Sequence, residues 1–419
     1  MLLPALLLAI QIPNSGMAPG TNIQRTMRLL EEGKPVKIMF YGQSITNSEW
    51  PKELEGDLRA RYPMAQLETK NLAIGGFAAN LLKRTARRDA LEQYPDLIIL
   101  HVYGGEPDYE ELVKTLRSST TAELLLQSDH IHGVATGKPE DKEKDRGWLW
   151  HDQHAAWLRK TADKYGCGFV DIRANWYSEM ARSGRPFTDF VVADKVHLNE
   201  SGDKLMASFT GAYLVRDAKL AGPDPVTTRA IEGNELDFVG NRLDLKIAGA
   251  EGPVQVLIDD RKPSTIPSLY LPTRTSNALG AWFPALLRVN AVECPALETV
   301  TLRLSKFDNT AAQFEFSALG STTGPDGSGF SAIPFTSRSK RVVITPDDWA
   351  TGYGFAVSKQ MPADGSEVFW SYFANFKDEV VGEEWQTVAK GLSNAAHRLR
   401  LVGRFGSASA RVFRPGAVE

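Results

Sequence analysis

The sequence contains few cysteines and has no excess of either charge. Its two cysteines, Cys167 and Cys294, lie far apart in a chain of 419 residues. That spacing excludes a disulfide framework and any cysteine-based metal cluster. The net charge of −3 comes from 48 basic and 51 acidic residues spread along the chain. This balance indicates no surface for nucleic acid or for an anionic membrane.

Long apolar runs are also missing after the N-terminus. Residues 1–10 are apolar over the length of a signal-peptide core, but no basic residue precedes them and no clear small-residue cleavage site follows. An ordered leader at 6–12 that packs on the first domain is the alternative. Export and a cytoplasmic location therefore both stay open. No other segment reaches the roughly 20 apolar residues of a membrane-spanning helix, so no membrane span is expected.

From residue 36 to about 216, short apolar runs alternate with amphipathic stretches. This alternation is typical of parallel strands joined by helices and predicts a three-layer α/β domain with a mostly parallel five-stranded sheet. The predicted strands are 36–41, 66–73, 96–103, 122–127 and 168–172. The predicted helices are 22–32, 51–61, 109–117, 148–165, 176–182 and 202–215.

After residue 220 the pattern changes to short β-patterned runs punctuated by Gly, Pro, Asn and Asp. Examples are 241–247, 254–258, 300–304 and 341–344, and a helical period is considered only near Val388. The pattern predicts an all-β sandwich. We therefore expect a first domain at 1–220 and a β-sandwich region at 221–419.

The first predicted strand ends in Phe-Tyr-Gly-Gln-Ser, which delivers Ser44 to the carboxyl edge of the sheet. Ligands bind at this edge in open α/β folds. Gly42 permits a tight turn, and the backbone N–H of Ser44 can point at a developing oxyanion. A serine that only caps a helix is the alternative for this motif taken alone.

A second polar motif, Asp194-Lys-Val-His197, comes just before the last helix of the α/β region. Because Asp and His stand three residues apart in a turn, the carboxylate can accept from one imidazole nitrogen while the other faces a serine. A surface loop with a helix cap is the alternative. Together with Ser44, the motif suggests a nucleophile and its proton-handling pair.

These motifs resemble the SGNH, or GDSL-like, hydrolase family over roughly 180 residues. Gly-Gln-Ser44 stands where that family has Gly-Asp-Ser, and Asp194-x-x-His197 resembles its closing block. The segment from Asn71 to Gly76 resembles its glycine block. The resemblance implies a flavodoxin-like fold, a catalytic Ser44–His197–Asp194 triad, and an oxyanion hole to which the backbone N–H groups of Ser44 and Gly76 contribute.

One block departs from the family pattern. After the third strand the family has Gly-x-Asn, whose side chain donates to the oxyanion, whereas this chain has Gly104-Gly105-Glu106. An ionised glutamate accepts hydrogen bonds and cannot donate one. Either the oxyanion hole then depends on backbone donors from Ser44 and Gly76, with Gly105 or another group assisting, or the site is reorganised. Losing one donor typically slows such enzymes by about 100- to 1000-fold.

Four further residues are candidates for substrate binding. Gln43 lies within the serine motif, Glu106 takes the place of the family's asparagine, and His130 closes the fourth predicted strand. Trp50 with other tryptophans (Trp148, Trp150, Trp157) could form a sugar-stacking rim. Aromatics at helical spacing are more often core. For His130 the alternatives are a helper donor in place of the missing asparagine and a solvated histidine at a capped strand end. No spaced ligand set points to a metal, so neither a metal nor another cofactor is expected.

The C-terminal region resembles, more loosely, the two halves of jelly-roll modules that accompany some SGNH carbohydrate esterases. The halves would be separated by an inserted β segment around 265–355. The combined resemblance implies an esterase that removes O-acyl groups, acetyl in the first place, from an oligo- or polysaccharide. The alternatives are a catalytically weakened domain that binds glycans, which Glu106 would suggest, and a lipase or thioesterase.

Overall fold

The computed structural model describes residues 17–133, 146–278, 280–308, 310–358 and 363–416. The predicted N-terminal leader lies outside these residues. The chain divides into two compact units. Unit one comprises, in its described part, 17–79, 95–113, 122–133 and 146–223, and unit two comprises 80–94, 114–121 and the described residues from 224 onward. Among the described residues, no helix has the length and apolar character needed to cross a membrane.

Unit one is built on a five-stranded parallel sheet in the order β2-β1-β3-β4-β5. The prediction of a flavodoxin-like α/β fold is confirmed, since this is the strand order of flavodoxin-like sheets. β3 is buried along its whole length, as expected for a continuous apolar run covered on both faces. The strands are β1 (Pro35–Gly42), β2 (Gln66–Asn71), β3 (Leu97–His101), β4 (Glu123–Gln127) and β5 (Gly168–Val170).

In the described part of the chain, seven helices accompany these strands: one precedes β1, four lie between successive strands, and two follow β5. They are α1 (Gln24–Glu31), α2 (Trp50–Arg61), α3 (Ala79–Gln93), α4 (Glu106–Ser119), α5 (Arg146–Tyr165), α6 (Ile172–Ser183) and α7 (Glu200–Tyr213). Most of α3 and the second half of α4 group with unit two.

The sequence interpretation missed α3. Its buried positions combine Leu82 and Leu91 with small or polar residues such as Ala86, Asp89 and Ala90. Because hydrophobic periodicity is carried by large apolar side chains, a helix that buries alanines and an aspartate gives a weak signal.

Unit two accounts for the burial of Asp89. The carboxylate accepts from Arg274 Nη2 at 2.7 Å and from Arg88 Nη1 at 2.5 Å. Burial raises the pKa of this carboxyl, but the two guanidinium groups outweigh burial and leave the pKa below its usual value. Nearby, the Tyr94 hydroxyl donates to Asn241 Oδ1 at 2.7 Å. These contacts explain why residues 80–94 group with unit two.

The β-strands of unit two form two larger antiparallel sheets, as the β-rich pattern predicted. A six-stranded sheet runs in the order β16-β8-β17-β7-β18-β6 and a five-stranded sheet in the order β12-β11-β10-β15-β9, beside a β13-β14 pair. The elements are β6 (Val226–Ala230), β7 (Glu235–Ala248), β8 (Val254–Ile258), β9 (Tyr270–Pro272), β10 (Thr299–Asp308), β11 (Gln313–Gly320), β12 (Gly324–Phe330), β13 (Phe335–Thr336), β14 (Val343–Ile344), α8 (Thr351–Ser358), β15 (Glu367–Ala374), β16 (Glu379–Val380), β17 (Gln386–Val402) and β18 (Ser407–Phe413).

The six-stranded sheet takes strands from both sides of residues 259–378, and that intervening segment carries the five-stranded sheet. The helical period considered near Val388 is wrong. Val388 lies in β17, which pairs with β7 and with β8. Pairing with two neighbouring strands outweighs the weak helical pattern in the local sequence.

Candidate active site

Ser44 lies at the carboxyl end of β1, next to the point where the strand order of the sheet reverses. It opens a single 3₁₀ turn, Ser44–Asn47, two residues after the strand ends. The turn requires glycine at position 42, because a Cβ there would lie 2.0 Å from the carbonyl oxygen of His101. Buried pairing of β1 with β3 and the glycine turn therefore place the serine at the edge where α/β folds bind ligands.

His197 and Asp194 lie in the loop that precedes α7. The imidazole Nδ1 donates to Asp194 Oδ2 at 2.7 Å, since a carboxylate can only accept. Asp194 Oδ1 accepts from the backbone N–H groups of Val196 and His197 at 2.8 and 3.0 Å. The hydrogen bonds from the His197 side chain and from these backbone groups lower the pKa of Asp194 to about 2. The carboxylate is thus held ionised beside the ring.

The three predicted residues form one chain of hydrogen bonds. His197 Nε2 lies 2.9 Å from Ser44 Oγ. Because Nδ1 carries the proton donated to Asp194, Nε2 presents its lone pair to the serine hydroxyl. Residues that are 150 or more positions apart in the sequence meet here only because β1 and the loop before α7 end at the same edge of the sheet.

Gln43 contacts the serine itself and is buried, with 4% of its surface exposed. Its side-chain carbonyl Oε1 lies 2.9 Å from Ser44 Oγ, the same distance as His197 Nε2. The single hydroxyl proton therefore faces two acceptors. The Gln43 carbonyl is therefore turned to the nucleophile, and the predicted contact of Gln43 with substrate stays a prediction.

The candidate oxyanion donors lie on neighbouring loops. The loop after β2 is held against β1 by hydrogen bonds from Leu72 N to Phe40 O at 2.9 Å and from Ile74 N to Gly42 O at 3.0 Å. Gly76 follows with a φ of +78°, a conformation that favours glycine. Gly105 lies before α4, and Glu106 is the first residue of that helix, with its side chain exposed.

Trp50 does not offer a sugar-binding surface. It is fully buried, its Nε1 donates to the Ile45 carbonyl at 2.8 Å, and its ring packs edge-on against Phe40. The prediction that Trp50 contacts substrate is therefore wrong, because the side chain is buried. The same holds for Trp148, which has no exposed surface. Sequence spacing could not separate these two core tryptophans from exposed ones.

Exposed aromatics are found elsewhere in unit one. Tyr103, just after β3, is 38% exposed, and Trp150 on α5 is 43% exposed. The Trp150 ring stacks on His154, which in turn stacks on Trp157. Tyr103 was not among the sequence candidates, although its position at the carboxyl end of a strand was a usable signal.

His130 is fully buried, which corrects both the expectation of a solvated strand end and that of a direct substrate contact. Its Nε2 donates to the carbonyl oxygen of Val196 at 2.8 Å. Burial lowers the pKa of His130 well below its usual value, and the neighbouring His132 adds to the shift. The ring is therefore neutral and supports the loop that carries His197.

A cluster of histidines around Asp129 was missed by the sequence interpretation. Asp129, just after β4, lies within 4 Å of nitrogens of His101, His132 and His151. Burial raises the pKa of Asp129, but the three imidazoles outweigh burial and hold the pKa well below its usual range. The available signal was composition, since five of the chain's seven histidines fall between 101 and 154.

Comparison with known proteins finds similar solved structures. No protein-family model and no curated protein match the chain. Solved structures that align with it include the acetylxylan esterase Axe2 from Geobacillus stearothermophilus, with 18% identity, a TM-score of 0.38 and coverage of 43% of this chain and 95% of Axe2. LAE5, an alpha/beta hydrolase from the metagenome of Lake Arreo, Spain, has 17% identity, a TM-score of 0.37 and coverage of 43% and 94%. The acetyl xylan esterase AlAXEase has 21% identity, a TM-score of 0.37 and coverage of 43% and 100%.

Proposed function

We propose that this protein is a serine esterase of the SGNH type that removes O-acyl groups, acetyl in the first place, from carbohydrate. The observation that carries the proposal is the continuous hydrogen-bond chain from Ser44 Oγ through His197 to Asp194, at 2.9 and 2.7 Å. Nucleophile, base and orienting carboxylate at these distances are the requirements for nucleophilic acyl transfer.

In the first half-reaction, Ser44 Oγ attacks the carbonyl carbon of the ester while its proton passes to His197 Nε2. Asp194 stabilises the imidazolium that forms and keeps the ring in the productive tautomer. The negative charge moves to the carbonyl oxygen, where the N–H groups of Ser44 and Gly76, with Gly105 assisting, would donate to it. The C–O bond to the sugar then breaks, and the leaving oxygen takes the proton from His197.

In the second half-reaction, water attacks the acyl-serine. His197 Nε2 accepts a proton from the water, and the tetrahedral intermediate collapses to release the acid and restore the Ser44 hydroxyl. In the resting enzyme, before substrate is attacked, Gln43 affects the Ser44 hydroxyl. Because its carbonyl competes with His197 for the hydroxyl proton at an equal distance of 2.9 Å, the resting serine is shared between two acceptors.

Two features favour a carbohydrate ester over a lipid ester. The side chains of His197 and Asp194 are 48% and 49% exposed, so the acyl group can be presented from a bulky, hydrated chain without entering a deep apolar tunnel. Tyr103 and Trp150 offer exposed rings in the same unit. Exposed aromatic faces suit sugar rings, whose C–H faces are apolar while their hydroxyls stay in water.

A fluorophosphonate probe tests the nucleophile directly. Attack by Ser44 forms an O–P bond and expels fluoride, so peptide mapping should find the adduct on Ser44 in the wild type and nowhere in Ser44→Ala. Ser118→Ala, which removes a hydroxyl from the surface of α4, is the matched control and should be labelled like the wild type. Asp194→Asn should label roughly 10⁴-fold more slowly, because the amide stabilises the wrong tautomer.

Substrate class is tested with the same preparations on acetylated oligosaccharides and on p-nitrophenyl esters of two and eight carbons. We expect deacetylation of the oligosaccharides and preference for the short ester. Equal labelling of wild type and Ser44→Ala would contradict the esterase proposal, because the probe would then not react at Ser44. An unlabelled protein that still binds glycans would instead support the weakened, glycan-binding domain.

A further inference from the structure

Three elements of unit one bring ligand-type side chains to one carboxylate. His101 is the last residue of β3, Asp129 and His132 follow β4, and His151 lies on α5. The nearest nitrogens of His101, His132 and His151 lie 3.4, 3.8 and 3.3 Å from the oxygens of Asp129. Asp129 and His101 are buried, whereas the side chains of His132 and His151 remain 20% and 16% exposed.

The polar atoms of this cluster are not satisfied by the described part of the protein. Asp129 Oδ2, His151 Nδ1, both ring nitrogens of His101 and His130 Nδ1 are buried and make no hydrogen bond of ordinary geometry to any described residue, since His101 and His151 approach Asp129 only to 3.4 and 3.3 Å. Most buried polar groups in folded proteins have a partner, so several orphans in one place need an explanation. A bound cation would explain them, because the carboxylate oxygens and imidazole nitrogens of this cluster carry lone pairs that can bind a metal ion.

The spacing fits a metal ion better than hydrogen bonding. Nitrogen and oxygen atoms that share a hydrogen bond lie roughly 2.7–3.2 Å apart. Ligands held at about 2.0–2.1 Å from a tetrahedral zinc lie roughly 3.3 Å from one another. His151 Nδ1 and His132 Nε2 lie 3.3 and 3.8 Å from Asp129 Oδ2, and one atom from each of the three residues falls within 4.8 Å of the others.

We propose that Asp129, His132 and His151 bind a divalent transition-metal ion of the zinc class. Two imidazoles and one carboxylate suit Zn²⁺ and its first-row neighbours, and three protein ligands leave a position open for water. The partial exposure of His132 and His151 gives the ion a path from solvent. His101, on the other oxygen of Asp129 at 3.4 Å, is placed to orient the carboxylate from the outer sphere.

The site is linked to the loop that carries His197. His130 Nε2 donates to the Val196 carbonyl at 2.8 Å, and Gly133 N donates to the Lys195 carbonyl at 2.7 Å. An ion that fixes Asp129 and His132 therefore fixes the segment that holds residues 195 and 196. The ion acts as a positioning element and takes no part in bond making. Binding stands on the cluster alone, whereas the effect on turnover rests on the proposed esterase function.

The test uses the full-length chain without a histidine tag, stripped with a chelator and titrated with Zn²⁺ and with Co²⁺. We expect one ion per chain by elemental analysis, a visible absorption band typical of tetrahedral Co²⁺, and a Tm raised by roughly 5 °C in excess Zn²⁺. His132→Ala and His151→Ala should each weaken binding by about 100-fold and abolish the Tm shift. His397→Ala is the matched control, since it also removes a histidine paired with an aspartate, Asp259, at 2.7 Å.

Asp129→Asn is a third variant, but the two more exposed histidines keep the test decisive if that variant fails to fold. Absence of a stoichiometric ion in the wild type, or equal titrations of the wild type and His151→Ala, would overturn the proposal. If one ion binds but chelation leaves fluorophosphonate labelling unchanged, metal binding is supported and the positioning role of the ion is contradicted. If one ion binds but Ser44 is not labelled at all, metal binding is supported and the proposed esterase function is contradicted.

Discussion

His130 donates a hydrogen bond from Nε2 to the backbone carbonyl of Val196 at 2.8 Å. Val196 immediately precedes His197, so this buried ring supports the loop whose side chain contacts Ser44. Because Val196 presents a carbonyl, His130 must carry its proton on Nε2, which leaves Nδ1 as a buried lone pair. One neutral histidine therefore faces the candidate triad loop on one side and the Asp129 cluster on the other.

We expect His130 to act as a positioning residue. His130→Leu keeps much of the volume but removes the donor, and should lower kcat by about tenfold with little change in KM, because the imidazole of His197 loses its alignment. His130→Gln can still donate and should recover part of that loss. Steady-state kinetics with Tm measurement on both variants provide the check. Equal kcat values for the leucine and glutamine variants would contradict a role for the donated hydrogen bond.

The lowered pKa of Asp194 makes a prediction for the acid side of the pH–activity profile. With a pKa of about 2 in the folded protein, against roughly 3.9 for a free aspartate, the carboxylate stays ionised throughout pH 4 to 9. Its favourable hydrogen bonds are fully present above about pH 4 and are lost only as the pH falls through about 2. A plot of log kcat/KM against pH should therefore fall with a slope of one on the acid side. A slope of two above pH 4 would show that Asp194 also titrates there.

Position 42 should tolerate no side chain. In Gly42→Ala the new Cβ would lie 2.0 Å from the His101 carbonyl oxygen and 2.5 Å from Thr46 Oγ1. We expect a loss of about 1–3 kcal/mol in the free energy of unfolding, together with lower kcat, because β1 must shift beside Ser44.

Gly56→Ala is the control for the glycine substitution. Gly56 lies within α2 with open space around its Cβ position, so alanine should stabilise the helix by about 0.5–1 kcal/mol. Urea unfolding of the two variants gives the comparison. Wild-type stability and turnover in Gly42→Ala would contradict the steric account of this turn.

Glu106 tests whether a side-chain donor is missing from the oxyanion hole. It begins α4 with an exposed side chain and, when ionised, cannot donate to an oxyanion. Glu106→Asn should raise kcat by about tenfold, less than the full value of a well-placed donor. Glu106→Ala removes the charge without adding a donor and should fall between the wild type and the asparagine variant. Three equal turnover numbers would mean that the side chain does not face the reacting carbonyl.

Local patterns determined much of the fold. Apolar runs identified every strand of the parallel sheet, and the change of pattern after residue 220 identified the β-rich region. Ser44 and the Asp194–His197 pair were also readable, because a strand followed by a glycine turn and a three-residue spacing are properties of neighbouring residues. Such signals extend over a few positions only. The local signal was too weak at α3, whose buried positions include alanines and Asp89, and that helix was not predicted.

Tertiary structure alone decided which polar and aromatic side chains face solvent. Trp50 and Trp150 are alike in sequence, yet one is enclosed beside Phe40 and the other is half exposed. The Asp129 cluster depends on β3, the loop after β4 and α5 meeting at one place. No local pattern encodes that meeting, because it results from strand order and helix packing between segments that are distant in the chain.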